Sequence, residues 1–118
     1  MDMSVINLSY LNDLSGGDST FVIEMIELFN DKIPGYLSSL EQNMQSQNWQ
    51  EVRDIAHTIK PNIDYMGIDN LKEVVRKIER NAGDRNDLEE IPQLVDTMKK
   101  VCMEAIGELK GEAEKLKS

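Results

Sequence analysis

The chain is short of the residues that several common chemistries require. Its 118 residues include one cysteine and one histidine, so it can form no internal disulfide and has no Cys/His set for a zinc site. The lone Cys102 fits a reducing compartment, and the expected location is the cytoplasm. Aromatic residues make up only 5% of the chain, while Leu, Ile, Met, Glu and Lys abound, a balance that favours helices over sheet. Basic residues are outnumbered, 13 against 22 acidic, for a formal net charge of −9. Nucleic acid and anionic membrane both demand a basic face, so neither is expected as a partner. No apolar run approaches the roughly 20 residues that span a bilayer. The opening MDMSVINLSY also lacks the basic-then-apolar order of a secretory signal. A glycine-rich phosphate loop and a cluster of Mg²⁺-binding carboxylates are missing too, so the chain is not expected to use ATP itself.

What is present is apolar residues at helical spacing. The length suits one domain over 1–118, with a core over about 5–110 and a polar end. A short first helix is marked by Ile6, Leu8, Leu11 and Leu14 and closed by Gly16–Gly17. Asp18, Ser19 and Thr20 offer caps for a long second helix, whose stripe runs Val22, Ile26, Phe29, Ile33, Leu37, Leu40 and Met44. Pro34 lies inside that stripe, which stays in phase across it, so a kink is expected and not a stop.

Asn48 and Glu51 look like a capping pair for the third helix, with Val52, Ile55, Ala56, Ile59 and Ile63 on its inner face and Gly67 at its end. Asp69 is placed to cap the fourth helix (Leu71, Val74, Val75, Ile78), and Gly83 in NAGDRND to end it. The fifth begins between Asp87 and Ile91, with Pro92 tolerated near its start, and runs through Leu94, Val95, Met98, Cys102, Ala105 and Leu109. The final GELKGEAEKLKS is expected to fray. The predicted fold is all-α: an antiparallel up-down four-helix bundle with a short additional N-terminal helix, and a monomer.

The single histidine sits in AHTIKPNIDYMG. At about 100° per residue, the apolar positions of the third helix cluster within roughly 60° of one direction, and His57 projects roughly 140° away. It is therefore not a core residue. Arg53, Lys60, Pro61 and Asp64 share its side of the helix. A solvated surface histidine is the plain alternative. Against it stand an imidazole's competence as a nucleophile near neutral pH and the ammonium of Lys60 one turn on, which suits phosphoryl oxygens. Lys60 and Arg53 have ordinary candidate partners in Asp64 and Asp54. Pro61, at the next turn, is compact and frees the His57 carbonyl from its helical bond.

These residues resemble the signature of histidine-containing phosphotransfer (Hpt) domains, commonly A-H-x-L-K-G followed by small residues, a Gly and a Leu. Ala56, His57, Lys60, Gly67 and Leu71 fall at matching positions, and Ile59 stands for the leucine. The upstream LSYLNDLSGGDSTFVIEMIELFND is similar to the usual entry into these domains, and the likeness covers roughly residues 5 to 110. The resemblance implies a four-helix bundle in a two-component phosphorelay, without kinase activity of its own. His57 would be the phosphoacceptor and Lys60 the phosphoryl-stabilising residue, with Arg53, Asp54, Pro61 and Asp64 on the docking surface and Gly67 as the structural turn. The implied partners are response-regulator receiver domains and a hybrid sensor histidine kinase. No cofactor is implied for the chain, any Mg²⁺ belonging to the receiver. Pro61 replaces the usual Gly, which keeps the position small but stiffens it and bears on partner choice. Two alternatives keep the bundle: an interaction module that is never phosphorylated, and the N-terminal part of a larger chemotaxis-type kinase. The polar, lysine-rich ending favours a complete chain over the second.

Overall fold

The computed structural model describes residues 4–118, and the described residues contain helices and turns without a strand. The helices are α1 (Ser9–Ser15), α2 (Ser19–Gln45), α3 (Trp49–Tyr65), α4 (Lys72–Asp84) and α5 (Ile91–Lys117), with single 3₁₀ turns at Asp69–Leu71 and Leu88–Glu90. Each of the four long helices packs on its sequence neighbour, and α5 returns along α2 to close the bundle. The result is an elongated body of 46 × 28 × 21 Å. This is the expected up-down four-helix architecture with α1 laid against α2.

The core forms where the stripes predict it. Phe29 and Ile33 of α2, Ile59 and Ile63 of α3, Ile78 of α4 and Met98 of α5 are all buried to within about 1% exposure. Burial of each such side chain contributes about 1.5–3 kcal/mol, and this fixes which face of α3 is left for solvent. The Asp18 carboxylate caps α2, accepting from the N–H of Thr20 at 3.0 Å and of Phe21 at 3.4 Å. The helix continues across Pro34. Gly16 ends α1 in the left-handed conformation.

Local capping departs from expectation at several points. Ile6 and Leu8 precede α1 and are half-buried, and Leu14 is exposed, so Leu11 alone anchors that helix in the core. Asn48 occupies the N-cap position of α3 but makes no side-chain cap, because its amide turns back to Asn43 Oδ1 at 3.3 Å. Asp69 opens a 3₁₀ turn, and its carboxylate pairs with Lys72 at 3.0 Å, leaving α4 uncapped by a side chain. Gly83 lies inside α4. The left-handed residue that ends the helix is Arg85 (φ 55°), whose guanidinium donates to the carbonyl of Ala82 and so satisfies one open helix-end acceptor. The polar C-terminal stretch is helical as far as Lys117, with Leu109 and Ala113 buried and Lys117 paired to Glu27 of α2 at 3.0 Å.

Gly67 does what the sequence asks of it, for two reasons. Its φ is +61°, and a side chain there would run into the backbone carbonyl and Cβ of Asn7. The approach is fixed by the Asn7 N–H, which donates to the carbonyl of Met66 at 3.0 Å. The N-terminal strap is thereby tied to the end of α3, beside the turn that follows the histidine.

Candidate functional site

The apolar face of α3 is consumed by the core, so His57 points outward on the opposite side, with its side chain 62% exposed. Its surroundings come from two helices. α3 and α4 run antiparallel, and their register brings Arg53 against Gly83, His57 and Lys60 against Glu79, and Asp64 and Lys72 to the walls of one groove.

Glu79 is the centre of this arrangement. Its Oε2 lies 2.7 Å from His57 Nδ1, and its Oε1 accepts from Lys60 Nζ at 3.0 Å. The side chain is only 17% exposed, so one largely buried carboxylate holds both partners. Burial by itself would raise its pKa. The hydrogen bonds and charges of Lys60 and then His57 outweigh that effect, and hold the carboxyl below its ordinary value. Near neutral pH Glu79 is therefore an anion, which can only accept. The proton on the shared bond consequently belongs to His57 Nδ1. The other ring nitrogen, Nε2, has no protein partner among the described residues, and in the neutral ring it is the one that carries the lone pair.

The remaining candidates fall around this pair. Lys60 turns to Glu79 and not to Asp64, whereas Arg53 does pair with Asp54, at 3.0 Å. Pro61 and Asp64 line an open groove of about 550 Å³ with Asn7, Tyr10, Tyr65 and Lys72. Tyr10 and Tyr65 stack there at 6.0 Å between ring centroids, which joins α1 to the end of α3. Gly67 closes the groove on the strap side. Among the described residues no His, Cys, Asp and Glu side chains gather in a group able to hold a metal ion. No helix among them is long and apolar enough to cross a membrane.

Glu79 has no place in the sequence reading, being 22 residues from His57. A signal for it exists. It follows the core residue Ile78 and flanks the stripe one turn from Val75, so it must face a neighbouring helix. The other acids of α4, Glu73 and Asp84, lie on the outer side.

The up-down bundle thus presents an outward histidine on its second long helix, with a lysine one turn on. The chain belongs to the Hpt domain family, whose model matches residues 24–118. Proteins of this family act as phosphocarriers in phosphorelays, where they interact with receiver domains and kinases. The fold is similar to the crystal structure of histidine-containing phosphotransfer protein B (HptB) from Pseudomonas aeruginosa PAO1. The TM-score is 0.85 at 21% sequence identity, covering 97% of this chain and 98% of that one. No curated protein sequence matches the chain significantly.

Proposed function

We propose that the protein is a phosphorelay intermediate that takes a phosphoryl group onto His57 Nε2 from a receiver-domain aspartyl phosphate and delivers it to the aspartate of another receiver. The observation that carries this is the double hold of Glu79 on His57 Nδ1 and Lys60 Nζ.

In the transfer, the Nε2 lone pair attacks phosphorus in line with the aspartyl oxygen. The N–P bond forms as the P–O bond to the aspartate breaks, and the aspartate leaves as a carboxylate. No proton has to move. The Nδ1–H goes on donating to Glu79, whose carboxylate faces the positive charge that the ring acquires. Lys60, one helical turn from His57, supplies an ammonium for the phosphoryl oxygens. Delivery is the same step reversed onto a second aspartate. Exposure of the imidazole matters because the in-line geometry needs the receiver's surface to close over it. Pro61 keeps the next turn small, and together with Arg53, Asp54 and Asp64 it forms the surface on which the receiver docks.

On this reading the chain itself needs no cofactor, and Mg²⁺ works in the receiver. Kinase chemistry belongs to a hybrid sensor kinase upstream. The protein acts as a monomer in the cytoplasm, where receivers are met. The test is incubation with a phosphorylated receiver domain. An acid-labile, base-stable label on the parent that is absent from His57→Gln is the expected result. Undiminished labelling of His57→Gln would remove His57 from the role, and a folded parent that binds receivers but never takes label would make the bundle an interaction module.

A further inference from the structure

Gly83 is left without a role once Arg85 is found to end α4. Glycine is the poorest helix former apart from proline, yet here it sits in the last turn of α4, outside the left-handed region. What it provides is space. A Cβ at this position would stand 3.2 Å from Arg53 Cδ and 3.4 Å from Arg53 Nε, and no other group comes as near. The stem of Arg53 thus lies across α4 on a seat that any side chain would occupy.

That seat is one turn from the reactive pair on both helices. Arg53 precedes His57 by four residues, and Gly83 follows Glu79 by four. Residues at this spacing are neighbours on one helical face. The guanidinium is held only by Asp54, with both side chains more than 40% exposed. Exposed pairs of this kind hold weakly, so the guanidinium is free to exchange partners.

Charge gives a reason for the exchange. A phosphoryl group brings between one and two negative charges and three acceptor oxygens. Lys60 meets it with a charge already shared with Glu79 at 3.0 Å. A second cation with a planar fork of donors would complement those oxygens.

We propose that Arg53 is a second phosphoryl-binding residue, which leaves Asp54 for the phosphoryl group on His57, and that Gly83 is the seat that aims it. This rests on His57 being the phosphoacceptor, and it separates Arg53 from a merely docking role.

The experiment uses phosphoramidate, a small phosphoryl donor that needs no docking surface, and follows the rate of His57 labelling and the lifetime of the phosphohistidine. Labelling of the parent and none of His57→Gln secures the underlying reading independently of Arg53. Arg53→Ala is expected to slow labelling and shorten the lifetime, by about tenfold or more in at least one of them, with Arg53→Lys in between. Gly83→Leu is expected to reproduce the loss by unseating Arg53 while melting no lower than the parent, because leucine is the better helix former. In the double variant the two losses should not add. Parent-like labelling and lifetime in Arg53→Ala would overturn the proposal, as would a loss seen only with a receiver as donor. Parent-like chemistry in a folded Gly83→Leu would overturn the role of the seat. Should Gly83→Leu melt below the parent, Gly83→Ala, which crowds the same stem, takes its place with the same outcomes.

Discussion

The α3–α4 face and the α2–α5 face carry the same kinds of charged residue. Across α2 and α5 they form separate pairs, Lys99 with Glu41 at 3.2 Å and Lys117 with Glu27 at 3.0 Å, every member at least a third exposed. Across α3 and α4 a single carboxylate, less than half as exposed as any of those, takes both a lysine and the only histidine. Solvent screens the first arrangement, which contributes solubility and little else. The second is shielded enough to fix a tautomer. What distinguishes the proposed site from a solvated surface is therefore how many partners one partly buried acid must serve.

The largest contrast between the two faces should appear in phosphotransfer. Glu79→Ala is expected to slow transfer from a phosphorylated receiver about ten- to a hundredfold, as the loss of a carboxylate that orients a metal-bound imidazole does. Lys99→Ala should leave the rate unchanged. Equal rates for Glu79→Ala and the parent, measured by loss of label from the receiver, would erase the distinction.

A smaller effect is expected at the turn that shapes the site. Gly67→Ala meets both a positive φ and the Asn7 carbonyl, and should destabilise the fold by more than about 1 kcal/mol in urea titrations. Lys99→Ala should remain within about 0.5 kcal/mol of the parent in the same assay.

Acid sharpens the comparison further. Because the folded protein holds the Glu79 carboxyl below its ordinary value, the carboxylate stabilises the fold above about pH 4.3, the unfolded value for glutamate. That contribution is lost as pH falls through the lower folded value. The stability gap between the parent and Glu79→Gln should accordingly narrow from pH 7 towards pH 3, while the gap for Lys99→Ala stays flat.

The smallest signal concerns Cys102, buried on the inner side of α5. Burial pushes its thiol up to about 12, so it should resist thiol reagents at pH 8 until the bundle opens. Its modification rate should track global unfolding and be indifferent to changes on either face.

Much of this molecule was legible in the sequence because a stripe of apolar residues is a one-dimensional signal. The faces of α2, α3 and α5 and the outward aim of His57 follow from spacing alone, and Asp18 and Gly16 cap as their chemistry suggests. Caps failed where a nearer partner competed: Asn43 for Asn48, and Lys72 for Asp69. Gly83 was misread because a glycine near a helix end usually marks the end, whereas here it makes room for a side chain of another helix. Glu79 was missed for a related reason. The pairing of α3 with α4 is set by a register that no local pattern encodes, so the acid that faces His57 is fixed only when the two helices are packed.

The tautomer of His57 is the property on which the proposed chemistry turns, and long-range proton–nitrogen NMR correlations of the imidazole read it directly. In the neutral imidazole of the unphosphorylated protein the proton should reside on Nδ1, with Nε2 bare, and Glu79→Ala should abolish that preference. A neutral ring in the parent with its proton on Nε2 would contradict the assignment of Glu79 as the group that readies this histidine for phosphoryl transfer.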